Sequence, residues 1–250
     1  MRVLSLDTAT SVLSVALGTG ERLIGETTMI GARDHSVRVF PVIDALLDAA
    51  GWEMRSLEGI VVGDGPGSYT GVRIGVTAAK TLGYALRIPV VGVSTLLGMA
   101  LAFSTFPGII CPMIDARRGR VYTGVYSASE RIETANGAGS DLTCLNDEGI
   151  YPMERVIEVV QSLRSASQAP VLFLGEGVQR LRPAIEPTLG HCSQFTDESH
   201  TLNVRAGMLI RPGIELLQTR DSGAAGTLVP RYMQMVEAEA KMIHREQRNE

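Results

Sequence analysis

Gly65-Pro66-Gly67-Ser68-Tyr69-Thr70-Gly71-Val72-Arg73-Ile74-Gly75 governs how the rest of the chain is understood. An apolar run, Gly59-Ile60-Val61-Val62, precedes it, and a stretch of helical character follows to Leu86. A buried strand therefore turns sharply through glycines and opens a helix. Free backbone N–H groups at a helix start suit an anion. The same helix carries Gly71, Gly75, Ala79 and Gly83 at four-residue steps, so one of its faces is nearly bare backbone. Each glycine inside a helix costs about 1 kcal/mol relative to alanine, roughly 2–3 kcal/mol for three, and a close contact must offset it. That contact can be a neighbour within the lobe or a helix of another chain.

The 250 residues are enough for one large domain or two lobes. A hydrophobic content of 45% with 20% charged residues describes a globular, water-compatible protein. The formal charge of −4 gives no overall field that would draw in nucleic acid. Cys111, Cys144 and Cys192 have neither metal-ligand nor disulfide spacing. Neither a signal peptide nor a membrane span is expected, and the expected location is the cytoplasm.

Val3 to Leu6 reads as a strand ending at Asp7, and Val12 to Leu17 as its returning partner. Helices are expected after Ser36, with Gly51 as stop, and after Ser94, an N-cap. The opening pattern then recurs. Ile109 to Ile114 is a strand, Asp115 closes it, Ala116 to Gly119 turn, and Arg120 to Tyr126 return. Asn136 to Gly149 reads as a loop, Pro152 to Leu163 and Asn203 to Leu217 as helices, and Val171 to Leu174 as a buried strand. Strands alternating with helices give an α/β protein of two lobes, each with a mixed sheet flanked by helices. The expected division is 1–105, 106–228, and a closing segment with a polar tail, 229–250.

No Ser/His/Asp set, H-E-x-x-H or Cys–His pair can be assembled, so neither a catalytic nor a metal-ligating set is assigned. The Gly65 turn lacks the G-K-[ST] of a P-loop, and its G-x-G-x-x-x-G spacing misses the dinucleotide fingerprint. A nucleotide contact at Asp7, Gly65, Gly67, Gly175 and Gly177 stays open beside a purely structural reading of these turns. His35 reads as a capping or surface histidine, and Arg117, Arg118 and Arg120 as a solvated basic tip.

Four segments together resemble the TsaB (YeaZ) family. They are Leu4-Ser5-Leu6-Asp7-Thr8, His35-Ser36 through Pro41-Val42-Ile43, the glycine stretch Gly65 to Gly75, and Asp115-Ala116-Arg117 through Val121-Tyr122. Val229-Pro230-Arg231-Tyr232 is similar to that family's closing segment. The resemblance implies the actin-like, Hsp70-like ATPase (ASKHA) fold. It also implies a non-catalytic subunit working with TsaD and the ATPase TsaE. That assembly places a threonylcarbamoyl group on the adenosine next to the anticodon of ANN-decoding tRNAs.

In the catalytic relative, the segment after the glycine helix carries V-N-H-x-E-G-H, whose two histidines bind a metal. Thr95 and Met99 stand at the matching places, and neither is a good donor for such an ion. Two further departures are Ala9, which would crowd a phosphate, and Arg120, where relatives usually have an acidic residue. The resemblance thus implies no cofactor held by this chain alone, with ATP or ADP and a metal expected in the partner subunits. It implies contact with tRNA only through those partners, and a homodimer when the chain is alone. The expected interface is Val39, Phe40, Ile43 and Leu46 with Gly71, Val72, Gly75, Ala79 and Gly83. The rival expectation is an ATP-dependent small-molecule kinase or ATPase of the same fold.

Overall fold

Val3–Asp7 (β1) and Val12–Gly18 (β2) are buried along their whole lengths, as near-continuous runs of Val, Leu and Ala require. They pair antiparallel, Val3 opposite Gly18 and Asp7 opposite Ser14. Leu23–Ile30 (β3) adds an edge strand that periodicity does not reveal, because its residues are half-buried or exposed. Gly59–Gly63 (β4) runs parallel to β1, and Val90–Val93 (β5) parallel to β4. The computed structural model describes residues 1–20, 22–31, 34–128, 142–176, 178–196, 204–219 and 226–233.

The period of two along β1 sorts its side chains to two cores. Leu4 and Leu6 face His35–Ala50 (α1) and Tyr69–Leu86 (α2), through Val39, Ile43, Val72 and Val76. Val3, with Val61 and Val91, faces the opposite side. Gly51 ends α1 in the left-handed conformation, φ 64°, its N–H returned to the last turn. Ser68 caps α2 and Ser94 caps Thr95–Leu101 (α3), each accepting from a backbone N–H three residues on.

The second half repeats this plan. Ile109–Asp115 (β6), Arg120–Ala128 (β7) and Leu142–Pro152 (β8) form the antiparallel ladder. Val171–Leu174 (β9) runs parallel to β6 and Ser193–Phe195 (β10) parallel to β9. The strand orders β3-β2-β1-β4-β5 and β10-β9-β6-β7-β8 are the same connectivity read in opposite directions. Met153–Ser167 (α4) and Val178–Leu189 (α5) pack on the second sheet. Between the sheets, Leu96, Met99 and Ala100 of α3 sit against Ile110, Ile114, Tyr122 and Leu174, so the two lobes share a core.

Two expectations are corrected. The loop expected over Asn136 to Gly149 is a strand from Leu142 onward, its polar composition reflecting an edge position. Residues 204–218 do not belong to the second lobe. A short 3-10 helix, Ala206–Leu209, and Ile210–Gln218 (α6) return to the first sheet, where Ile210, Ile214 and Leu217 bury against Val3, Val61 and Val91. Ser5 Oγ donates to Ala206 O at 2.7 Å, and Ala206 N to Ser14 Oγ at 2.9 Å. The apolar side of β1 and β4 needs a cover, and the chain supplies it from its far end.

Candidate functional site

Both lobes turn at a carboxylate. Asp7 Oδ1 accepts from Ala9 N at 2.8 Å, and Asp115 Oδ1 accepts from Arg117 N at 2.9 Å. Each aspartate thus closes its own turn, two residues on. The internal repeat seen in the sequence is real at atomic level.

The first tip is locked by its neighbours. Asp7 Oδ2 accepts from Thr95 Oγ1 at 2.8 Å, so the residue at the metal-ligand place serves the hairpin instead. Thr8 Oγ1 donates to Gly71 O at 2.7 Å, and Ser68 N to Ala9 O at 2.6 Å. A side chain on Gly67 would strike the Ala9 backbone, and one on Gly71 the Thr8 carbonyl. His35 is buried rather than capping or exposed, with Nε2 at 3.0 Å from Thr10 O. Glu176, in the turn after β9, reaches across from the second lobe. Its Oε1 accepts from Ser11 N at 2.7 Å and also from the Ser11 hydroxyl. Met99, buried, brings its Cε against Gly175.

Asp7, Gly65, Gly67 and Gly175 do converge around one junction, while Gly177 lies outside the described residues. Acceptors of two of them are engaged within the chain: both Asp7 oxygens, as above, and Gly65 O, which accepts from Thr95 N at 2.9 Å.

A second set of ties joins the lobes beside this turn. Arg231 lies 2.9 Å from Glu148 Oε2 and 3.6 Å from Asp64 Oδ2, and its backbone N donates to Asp64 O at 2.7 Å. Glu148 Oε1 also accepts from Ser94 Oγ and Tyr126 Oη, both at 2.5 Å. Burial pushes Asp7 up to about 6 from an ordinary 3.8, against the hydrogen bonds from Ala9 and Thr95. Asp64 rises to about 6 as well, chiefly from burial; Arg231 opposes the rise while Glu148 and Asp7 add to it. The sequence places Glu176 between two candidate glycines and Arg231 in the closing segment, but assigns a role to neither. Glu148 carries no such signal.

The interface expectation is corrected for eight of its nine residues. Val39, Ile43, Leu46, Gly71, Val72, Gly75, Ala79 and Gly83 are buried within the first lobe. At Gly71 and Gly75 the stripe admits Thr8 and Val62 of the first sheet. Phe40 alone is exposed, at 38%. The outer side of the α1–α2 pair instead presents Val37, 71% exposed, and Tyr84, 84% exposed, beside Arg73, Thr77 and Thr81. Residues 226–233 run along this pair. Lys80 Nζ holds Leu228 O at 2.8 Å, and Tyr232 packs on Tyr69 with ring centroids 5.1 Å apart.

Among the described residues, no group of three or more His, Cys, Asp or Glu is placed to share a cation. No described helix is long and apolar enough to cross a membrane.

Duplicated sheets, paired hairpin tips and a glycine turn between them define the actin-like, Hsp70-like ATPase class of fold. Residues 28–242 match the family described as "TsaD: tRNA N6-adenosine threonylcarbamoyltransferase". The tRNA threonylcarbamoyladenosine biosynthesis protein TsaB of Bacillus subtilis is 37% identical over 97% of this chain and 98% of its own length. The protein of that name from Escherichia coli is 36% identical over 52% of this chain and 57% of its own. A solved structure of YeaZ from Pseudomonas aeruginosa superposes with a TM-score of 0.74 at 26% identity, covering 92% of this chain and 99% of that one. The chain belongs to the TsaB family.

Proposed function

We propose that this chain is a non-catalytic scaffold and activator in tRNA threonylcarbamoyladenosine formation. It docks a TsaD-type transferase through the outer side of α1 and α2, and TsaE joins that assembly. Alone, it pairs with a second copy through the same side, since an isologous contact needs only one self-complementary surface. The observation that carries the reading is the exposure of Val37, Phe40 and Tyr84 on two adjacent helices. Large apolar side chains left exposed on neighbouring helices suit a partner.

The interior supports the non-catalytic half of the reading. Asp7, Thr95 and Glu176 are the groups nearest to where chemistry could occur, and each is hydrogen-bonded to a neighbour in the chain. In this reading the chain holds no cofactor, works in the cytoplasm, and leaves nucleotide and metal to its partners.

The test is reconstitution of tRNA modification with each subunit omitted in turn, together with Phe40→Asp/Tyr84→Asp in this chain. Activity should require the chain. The double variant should remain folded, run as a monomer, and no longer capture the transferase. ATP turnover or product formation by the purified chain alone would overturn the reading in favour of an enzyme.

A further inference from the structure

The second hairpin tip bears three arginines in five residues, on a molecule whose formal charge is −4. Arg117 and Arg118 are exposed and Arg120 is half-buried. Arg118 already engages a neighbouring group, whereas neither Arg117 nor Arg120 is ion-paired among the described residues. The backbone is left-handed at three successive positions, with φ 64° at Arg117, 54° at Arg118 and 72° at Gly119. Arg120 N closes the turn on Arg117 O at 3.1 Å. Such turns favour Asn and Gly, so two arginines are kept here against local preference. Positions that break a local rule without a packing reason mark function more often than fold. The crest of the turn is open: a side chain on Gly119 would meet nothing within 4 Å.

The surroundings add to the positive field. Gly119 O accepts from Met153 N at 3.2 Å, which seats the tip on the N-terminal end of α4. That helix has 15 residues and no side-chain cap, so its dipole presents positive charge beside the arginines. Two carboxylates oppose it: Asp115, occupied by Arg117 N, and Glu154 in the first turn of α4. Three guanidinium groups thus stand beside two carboxylates.

We infer that the Arg117–Arg120 tip binds the phosphate backbone of the RNA substrate, a contact separate from the α1–α2 docking side. Guanidinium forks match phosphate oxygens, and an exposed turn can enter a curved backbone without reading bases. The inference rests on the reading of the chain as part of a tRNA-modifying assembly. It replaces the expectation that tRNA is reached only through partners.

The experiment measures binding of an unmodified tRNA transcript by fluorescence anisotropy between 50 and about 200 mM salt, using the chain assembled with its transferase and the chain alone. Arg117→Gln/Arg118→Gln/Arg120→Gln should weaken binding about tenfold or more at the low-salt end. It should also reduce the slope of log affinity against log salt by about 2, near 0.7–0.9 for each phosphate no longer neutralised. The corresponding triple lysine variant should keep most of that slope. If the triple glutamine variant does not fold, Arg117→Gln alone should reduce the slope by somewhat under 1.

An unchanged slope would overturn the inference. So would failure to assemble with the transferase accompanied by unchanged RNA binding by the chain alone, which would make the tip a contact for an acidic protein. Failure of the unsubstituted chain to assemble would instead count against the docking reading. The slope measured on the chain alone would still decide the RNA contact.

Discussion

At the first hairpin tip Asp7, Thr8, Ala9 and Thr10 are buried, and the tip is held by α2, α3, His35 and Glu176 of the other lobe. At the second, Arg117, Arg118 and Gly119 stand in solvent around the same aspartate-closed turn. Connectivity is shared between the lobes while environment is not. One turn has become part of the packing between lobes, and the other has stayed free to meet something outside. Shared topology thus specifies where a site can be, and the side chains packed around it decide whether anything can enter.

Glycine substitutions should separate the tips most sharply. Gly71→Val would drive a branched side chain into the Thr8 carbonyl, and the expected destabilisation is about 3 kcal/mol or more, read by urea denaturation. Gly119→Ala at the open tip meets no atom and should cost only about 1 kcal/mol, from its left-handed backbone. Equal costs at the two sites would break the contrast.

Next come the aspartates. Asp7 is raised from 3.8 to about 6, so the folded state holds its proton more tightly than the unfolded one. Its contribution is therefore full below about pH 4 and is lost as pH rises to about 6, a loss near 3 kcal/mol at 1.36 kcal/mol per unit. Asp7→Asn should recover about 1–3 kcal/mol at neutral pH and flatten the stability profile between pH 4 and 6. Asp115→Asn should cost about 1 kcal/mol or less, because the amide oxygen can still accept from Arg117 N although the carboxylate's other interaction is weakened. Thermal unfolding across pH reads both.

Arg231→Met leaves Asp64 and Glu148 without their shared cation. Because the guanidinium is 44% exposed, the expected cost is only about 1–2 kcal/mol. A small effect also belongs to Arg117→Gly. It should stabilise the chain by a few tenths of a kcal/mol, up to about 1, by relieving φ 64°. No gain would mean that the arginine side chain offsets the strain within the folded chain.

Much of the architecture is legible in the sequence because it is local. The two Asp-closed hairpins, the caps Ser68 and Ser94 and the stop at Gly51 all depend on near neighbours. Glycine spacing along α2 announces a close approach but not what approaches, and hence its buried face can be taken for a docking face. β8 hides because an edge strand can be polar. α5 hides behind Pro183 and Pro187, which lie inside the helix. Of the site, Asp7 and the glycines are visible as turn chemistry. Glu148, Glu176 and Thr95 acquire their roles only through partners 54, 165 and 88 residues away.

The return of α6 to the first sheet has a consequence for biogenesis. Val3, Val61 and Val91 are synthesised early, yet Ile210, Ile214 and Leu217, which cover them, are made near the end. A nascent chain that has completed β1 to β5 still carries an uncovered hydrophobic flank. The first lobe to leave the ribosome therefore cannot complete its core until α6 has been made, and its uncovered flank is prone to association until then.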